Sequence, residues 1–453
     1  MEAEYAMPGA QPAVTTANLS VVNSDLVAET VVIEWSVAKR IAFRLAFIYF
    51  VFYAMPFPLG YIPLTDTVSS YYSKIWEAVV PWLAQHVLHL GYQIGVADTG
   101  SGDRTYDWIL TGTYLTLAIV GTIVWSLIDR RRANYERLYR WLRLYVRLYV
   151  GAVLIGYGAY KVIQSQFPAP NLARLVQPYG DSSPMGLLWT FMGSSYLYNL
   201  FTGGAEIVGG AFLIIPPLAT LGALLTIACM GNVFILNMAY DVPVKLFSFN
   251  LVVMAAFVAL PDTERLLNLF VLNRPTTAAP ARPLFVRPRL NDAIRWLQLI
   301  LLAVFLGLSL YQSWQGTKFF ATIAVPEPIK GVWTVNEFVE DGKPQALTPG
   351  DSNRWFRIVL DHSNRISVEF VDAPLQRYGM ELDESTHTLN LVAPNDPNWK
   401  SELKYETPKP DTLVLNGTIN GHPVSMTAHR KPLSDFRLLN RGFHWVSEAP
   451  FNR

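Results

Sequence analysis

Three apolar runs decide how this chain folds: YVGAVLIGYGAYKVIQ (residues 149–164), YLYNLFTGGAEIVGGAFLIIPP (196–217) and TIACMGNVFILNMAYDVPVKLF (226–247). These runs lie in apolar stretches that are long enough to cross a bilayer core of roughly 30 Å as helices. Polar side chains interrupt the runs, and they are Lys161, Glu206, Asn232, Asn237, Asp241 and Lys245. Because polar groups are costly in lipid, their recurrence predicts a polar site inside the membrane.

The composition of the whole chain indicates a membrane part joined to a soluble part. Of its 453 residues, 51% are hydrophobic and 16% are charged, and the mean hydropathy is +0.24. The net charge of +1 gives no sign of nucleic-acid binding. Cys229 is the one cysteine, so no intrachain disulfide and no cysteine metal site can form, and no metal site is predicted.

Hydropathy predicts about seven membrane spans. They cover residues 42–62, 107–128, 143–164, 198–215, 218–238, 245–261 and 296–314. Residues 75–94 are predicted to form an amphipathic helix on the membrane surface, and the apolar segment 184–196 is too short to cross it. No cleavable signal peptide is predicted in the polar leader.

Arginines cluster after the second and the sixth predicted span, which places those loops in the cytoplasm by the positive-inside rule. The N-terminus is then cytoplasmic and the C-terminus extracytoplasmic. The sequence therefore predicts a multi-pass membrane protein, with membrane lipids as partners.

The pattern changes near residue 326 from long apolar runs to short alternating strands. Eight such strands are expected within 332–429, separated by turns such as Asp341-Gly342 and Asn420-Gly421. They predict an extracytoplasmic all-β domain, either a small barrel or a meander. Gly331 and Trp333 resemble the Gly-x-Trp start of lipocalin-like barrels, where the tryptophan closes the barrel floor.

These boundaries divide the chain into six parts. They are a cytoplasmic leader (1–40), N-terminal spans with an extracytoplasmic loop (41–135), a membrane core (136–270), a basic linker with the last span (271–325), the β domain (326–435) and a tail (436–453). Phe443, Trp445 and Phe451 in the tail are expected to pack against the membrane part or to bind a partner.

The segment 135–150 places four arginines, including Arg143 and Arg147, on one face of a helix. Two interpretations are open for this face. Either the arginines contact anionic headgroups at the interface, or they bind the phosphate of a lipid or substrate.

Lys161 and Glu206 are predicted to form an ion pair, because either charge alone would be costly in lipid. Helix rise places the polar groups in the extracytoplasmic half of the bilayer. One hypothesis is that the pair only locks helices together; the other is an outward-facing pocket in which these two residues are the catalytic candidates. The full candidate pocket consists of Lys161, Trp189, Glu206, Asn232, Asn237, Tyr240, Asp241 and Lys245.

Several motifs in this region are similar to those of the DoxX-like membrane proteins. They are Tyr160-Lys161, Gln166-Phe167-Pro168, residues 180–193 (GDSSPMGLLWTFMG), 230–233 (MGNV) and 236–246 (LNMAYDVPVKL). The resemblance extends over about 140–270, and the tail 441–453 resembles that of long bacterial members.

The resemblance implies a four-helix membrane core. Some members of that family are subunits of quinone-linked thiosulfate oxidation, and others accompany redox-defence proteins. The leading hypothesis is therefore a quinone-interacting component of a membrane redox system that requires a partner subunit carrying electrons. Lipid binding or transport and a non-catalytic envelope scaffold are the alternatives, and the β domain is either a lid or a partner-binding module.

Overall fold

The computed structural model describes residues 34–62, 65–278, 283–348, 351, 353–371 and 373–452. The predicted leader 1–40 and the predicted lack of a signal peptide concern residues that lie mostly outside this range. The first helix begins at Val37, inside the last part of the predicted leader. The hydroxyl of Ser36 caps it by accepting the backbone N–H of Lys39 at 3.2 Å.

Twelve α-helices occur in the described part of the chain. They are α1 (Val37–Ala54), α2 (Asp66–His86), α3 (Thr105–Ile128), α4 (Glu136–Val162), α5 (Leu172–Val176), α6 (Pro184–Gly193), α7 (Tyr196–Ile214), α8 (Ala219–Ala239), α9 (Lys245–Ala259), α10 (Thr263–Phe270), α11 (Pro288–Thr322) and α12 (Arg437–Asn440). Seven of these, α1, α3, α4, α7, α8, α9 and α11, are long and apolar enough to span a membrane. They agree with the seven predicted spans.

The helices α4, α7, α8 and α9 pack against one another as a four-helix group at the centre of the bundle. The last long helix, α11, lies against α4 and α7, while α1 contacts α3 and α4. The largest apolar cluster includes Leu154, Leu213 and Met254, all almost completely buried. Helix α4 therefore joins the central group to the flanking helices α1 and α11.

The antiparallel helices α4 and α7 approach until their backbones touch. A Cβ added to Gly158 would lie 2.5 Å from the carbonyl oxygen of Gly203, and one added to Gly210 would lie 2.7 Å from that of Gly151. On each helix the two contacting glycines are seven residues apart, Gly151 and Gly158 on α4 and Gly203 and Gly210 on α7. Small residues at these positions allow the two helices to pack face to face, which fixes their relative register.

The chain passes through the bundle so that two kinds of loop lie at opposite ends. The end of the bundle at which α11 leads into the β domain is named the barrel side. It carries the connecting segments 55–104, 163–195 and 240–244. The arginine side carries the loops 129–135, 215–218 and 260–287. The assignment of the loops to two sides agrees with the predicted alternation.

The structure corrects the bounds of one predicted local segment and agrees with the short length of another. The amphipathic helix predicted at 75–94 is α2, which begins at Asp66 and ends at His86. It starts earlier because the chain turns directly after the first span, and it ends earlier because the chain leaves helical geometry before His89, whose φ is 50°. The segment predicted at 184–196 forms α6, whose N-terminus is capped by Ser183.

The β domain is a closed barrel built from eight of the nine described strands. They are β1 (Gly331–Glu340), β2 (Lys343–Pro344), β3 (Trp355–His362), β4 (Arg365–Phe370), β5 (Gln376–Asp383), β6 (Thr388–Ala393), β7 (Asp396–Lys409), β8 (Thr412–Ile419) and β9 (His422–Lys431). Successive strands pair in antiparallel fashion, β2 extends only β1, and the pairing of β1 with β9 closes the sheet. Of the two predicted forms, the barrel is thus the one found.

Both predicted turns are tight hairpins. Asp341 and Gly342 have φ of 49° and 72°, and Asn420 and Gly421 have φ of 51° and 87°. Positive φ at both central residues is the geometry of type I′ turns, which match the twist of the flanking strands.

The barrel floor lies where the chain arrives from α11. Trp333 is completely buried, and its indole N–H donates to the carbonyl of Ile329 at 2.8 Å. The guanidinium of Arg430 covers the ring at 4.6 Å from its centroid. Trp333 therefore closes the floor, as the Gly-x-Trp motif predicts.

A short helix of the barrel side attaches the barrel to the bundle. Ala173 in α5 packs with Val332, Val359 and Phe436 in one apolar cluster. The tail beyond α12 packs mainly on itself, with the rings of Phe443 and Trp445 4.9 Å apart and Trp445 92% exposed. Phe443 and Trp445 are thus largely exposed, and the expected role of the tail aromatics stays a prediction.

Candidate functional site

Lys161 and Glu206 form a buried ion pair between α4 and α7. The Nζ of Lys161 donates to Oε1 of Glu206, and the two side chains are 7% and 3% exposed. The backbone contact of Gly158 with Gly203 sets this geometry, since a Cβ at Gly203 would lie 2.8 Å from the Cβ of Lys161. The predicted pairing is therefore present, at the point where the two helices are closest.

One oxygen of the pair lacks a partner. The Oε2 of Glu206 is buried and has no hydrogen bond in the described residues. Glu206 is close enough to Tyr157, one turn before Lys161 on α4, to interact with it electrostatically. The ion pair thus joins α4 to α7 and leaves one hydrogen-bond acceptor, Oε2 of Glu206, without a donor in the described residues.

The predicted residues near the link from α8 to α9 have structural partners. The amide of Asn237 donates to the hydroxyl of Ser248 at 3.0 Å and joins α8 to α9. The ammonium of Lys245 binds Asp241 at 2.8 Å, and the side chain of Asp241 is 86% exposed. These groups stabilise the link and do not converge on the Lys161–Glu206 pair.

The remaining predicted residues lie apart from that pair. Trp189 packs edge-on against Phe167 at 5.0 Å, and Tyr240 joins the same apolar cluster. Asn232 is exposed on the surface of α8. The structure therefore separates the predicted eight-residue pocket into an ion pair, a helix link, an apolar cluster and the exposed Asn232. Helix rotation turns residues of similar depth toward different neighbours.

A large cavity lies nearby on the barrel side of the bundle, between α1, α2, α3, α4 and α9. Its volume is about 600 Å³. Six tyrosines are among its described lining residues: Tyr53, Tyr72, Tyr106, Tyr114, Tyr149 and Tyr157. None of the eight predicted pocket residues lines this cavity, although Tyr157, which does line it, interacts electrostatically with Glu206.

The cavity wall formed by α2 and α3 contains aromatic side chains and one hydrogen-bond donor, the indole N–H of Trp76, that has no partner in the described residues. Trp76 packs edge-on against Tyr114 at 4.9 Å, and Phe52 stacks on the other side of Tyr114 at 5.9 Å. The indole N–H of Trp76 is buried and finds no acceptor in the described residues. Since a buried indole N–H is usually hydrogen-bonded, an acceptor on a ligand would complete this wall.

The charges at the cavity are mainly negative. Glu77, Asp98 and Asp107 line it together with Arg104. Arg104 forms an ion pair with Asp107 at 2.9 Å, and this hydrogen bond raises the pKa of Arg104. A site with more carboxylates than cations favours a neutral or cationic ligand over an anionic headgroup.

The loop before α3, which lines the cavity with Gly100, Ser101 and Gly102, binds the start of α9. Asp103 accepts the backbone N–H groups of Lys245 and Leu246 at 2.7 and 3.0 Å. Gly102 donates its own N–H to the carbonyl of Pro243 at 2.7 Å. A carboxylate at a helix N-terminus is favoured by the free N–H groups and by the helix dipole.

Sequence reasoning missed this cavity because it followed charged and amide residues in the longest apolar runs. The signal that was available is the recurrence of tyrosine and tryptophan at the barrel-side ends of α1 to α4. Asp103 carried no such signal, because its partner helix lies 142 residues later in the chain.

The arginine face of α4 is used inside the protein. Arg147 is buried and donates to the carbonyls of Leu213 and Ile214, which end α7. Arg143 donates to the carbonyl of Val258 and pairs with Asp262 at 3.5 Å. These contacts favour neither the headgroup nor the phosphate interpretation for Arg143 and Arg147.

Comparisons with known proteins give one relative. No protein-family model and no solved structure matches the chain. The uncharacterized protein YwoB of Bacillus subtilis (strain 168) is 30% identical over 127 residues, which cover 27% of this chain and 79% of YwoB. The chain belongs to the YwoB family. YwoB is described as uncharacterized, so the relationship assigns no activity.

Proposed function

We propose that this protein is a DoxX-like bacterial inner-membrane protein whose outward-facing cavity binds a neutral, lipid-soluble ring compound of the quinone class. The arginine side is then cytoplasmic, and the barrel side with its β domain faces the periplasm. The aromatic cavity of about 600 Å³, with the unpaired indole N–H of Trp76 in its wall, is the observation that supports this function.

The size and lining of the cavity fit such a ligand. Ligand sites commonly measure about 300–1,000 Å³ and combine apolar walls with a few placed polar groups. A quinone ring packs on aromatic side chains, and its carbonyl oxygens accept hydrogen bonds. The indole N–H of Trp76 is a donor of the required kind. The hydroxyl of Tyr72 donates to the carbonyl of Phe52 at 3.1 Å, and its oxygen lies 3.4 Å from the hydroxyl oxygen of Tyr114.

The Lys161–Glu206 pair does not line this cavity, but Glu206 interacts electrostatically with Tyr157, which does line it. The unpaired Oε2 of Glu206 is an acceptor for a proton or for a ligand hydroxyl, as a reduced quinone would present. Electron transfer would need a partner subunit with an electron carrier, which fits the redox role implied by the DoxX-like resemblance.

The other two hypotheses have less support. A lipid transporter would need cations for anionic headgroups, whereas the cavity holds more carboxylates than guanidinium groups, and Arg143 and Arg147 are bound inside the bundle. A scaffold would use the Lys161–Glu206 pair only as a helix lock, and it gives no reason for an aromatic cavity.

Direct titration tests the proposal. Full-length protein in lipid nanodiscs is titrated calorimetrically with menadione, a tail-free naphthoquinone. We expect saturable binding that weakens about 3- to 30-fold in Trp76→Phe, which loses one hydrogen-bond donor. The control is Trp108→Phe, which changes an exposed tryptophan of the same region. No binding to folded protein, or equal weakening in both variants, would overturn the proposal.

A further inference from the structure

A second cavity occupies the end of the barrel opposite its floor. Its volume is about 760 Å³. Residues at one set of strand ends line it, including Glu340 at the end of β1, Gln376 at the start of β5 and His422 at the start of β9. The opposite strand ends meet the chain arriving from α11, where Trp333 closes the floor. The mouth is therefore reached from water and not from the membrane helices.

Three aromatic rings form a stacked column in this mouth. The ring centroids of Trp355 and Tyr378 are 6.5 Å apart and those of Tyr378 and Trp399 are 4.7 Å apart. The interplanar angles are 26° and 28°, so each ring is stacked on its neighbour with a moderate tilt. Trp355 and Tyr378 are buried, and Trp399 is the half-buried end of the column.

Amide side chains surround this column. Asn353, Asn395 and Asn420 line the mouth and are exposed. Each amide both donates and accepts hydrogen bonds, as the hydroxyl groups of a neutral ligand require. The charged lining residues are of both signs, with Glu340 and Asp396 beside Arg377 and His422, so no net field selects an ion.

We propose that the barrel mouth binds a saccharide, with a sugar ring stacked on Trp399 and its polar substituents hydrogen-bonded to Asn395 and Asn420. The apolar face of a sugar ring matches an aromatic face, while its edge carries hydroxyls in all directions. An acyl chain would instead require a dry, apolar entrance. The amide-rich rim and its position away from the membrane end favour the sugar.

Calorimetric titration of full-length protein in lipid nanodiscs tests this site without competition from sugar-based detergents. The probes are N-acetylglucosamine and its β-1,4-linked disaccharide. We expect binding that weakens at least about tenfold in Trp399→Ala and is largely retained in Trp399→Phe. Trp445→Ala is the matched control, because Trp445 is exposed in the tail.

Thermal unfolding of each variant shows whether the barrel remains folded. If Trp399→Ala unfolds, Asn395→Ala takes its place, since Asn395 is exposed and its loss should weaken binding severalfold without disturbing the core. Absence of binding by folded protein at about 10 mM sugar, or equal weakening in Trp445→Ala, would overturn the proposal. Binding of oleate in place of both sugars at the same mouth would overturn it as well.

Discussion

Asp103 caps the helix that starts at Lys245, although the two residues lie far apart in the chain. Its Oδ2 accepts the backbone N–H of Lys245 at 2.7 Å, and its Oδ1 accepts that of Leu246 at 3.0 Å. The side chain of Asp103 is 9% exposed. This contact holds the loop before α3 over the tyrosine-lined cavity, so it links the stability of the bundle to access to the proposed site.

Replacing Asp103 should therefore release the loop before α3 from the start of α9. We expect Asp103→Ala to lose about 0.5–2 kcal/mol of stability, the usual cost of an N-cap, and to expose the loop 87–104 to protease. Asp241→Ala is the control, because Asp241 contacts Lys245 only through an exposed ion pair. Limited proteolysis with mass spectrometry measures the effect. Equal cleavage of both variants would show that the cap does not hold the loop.

Adjacent glycines on α7 give a second prediction. A Cβ at Gly203 would lie 2.6 Å from the carbonyl oxygen of Gly158, whereas one at Gly204 meets no atom within 4 Å. Gly203→Ala should destabilise the protein by about 1–3 kcal/mol through overpacking. Gly204→Ala should leave stability unchanged or slightly higher, since alanine favours helix. Thermal unfolding in the same detergent compares the two, and similar melting temperatures would contradict the close helix contact.

Removing one charge of the Lys161–Glu206 pair should lower the unfolding free energy more than removing both charges. Lys161→Met leaves Glu206 buried and unpaired, which typically costs about 3–5 kcal/mol. The double variant Lys161→Met/Glu206→Leu removes both charges and should recover most of that loss. A double-mutant cycle of unfolding free energies tests this coupling. Additive losses would mean that the two side chains do not interact.

The pH dependence of the barrel mouth follows from one histidine. Nδ1 of His422 lies 3.0 Å from the carboxylate of Asp341, and this hydrogen bond raises the pKa of His422 above its usual 6.5. A raised pKa in the folded state means that the contact stabilises the protein fully below pH 6.5 and loses this effect as pH rises through the higher value.

NMR of protein with 13C-labelled histidine measures this titration. We expect the titration midpoint of His422 to lie above 6.5 and to decrease in Asp341→Asn. Burial lowers the pKa of His362, so the two histidines of one sample should shift in opposite directions from 6.5. His422→Gln identifies the resonance. An unchanged midpoint in Asp341→Asn would show that the carboxylate does not set the His422 pKa.

The sequence predicted the helices and strands well because their patterns are local. Long apolar runs predicted the seven long helices, and alternation with turn pairs such as Asn420-Gly421 predicted the barrel strands. The Lys161–Glu206 pair was also predictable, since two opposite charges at one depth in apolar helices have few other partners.

The cavity and its loop were not predictable in this way. Their residues come from five helices, and their assembly depends on helix rotation and on long-range contacts such as Asp103 with Lys245. Depth along a helix follows from residue number, but the direction in which a side chain points depends on packing. This is why Asn232 and Asp241, at suitable depths, lie outside the cavity.

The central proposal is that the tyrosine-lined cavity holds a quinone-type ligand, and the most direct test is mass spectrometry of small molecules extracted from full-length protein purified in mild detergent. Wild-type protein and Trp108→Phe should carry the same quinone in near-stoichiometric amount, and Trp76→Phe should carry much less. Wild-type protein that carries no quinone, or a Trp76→Phe variant that retains all of it, would contradict the account.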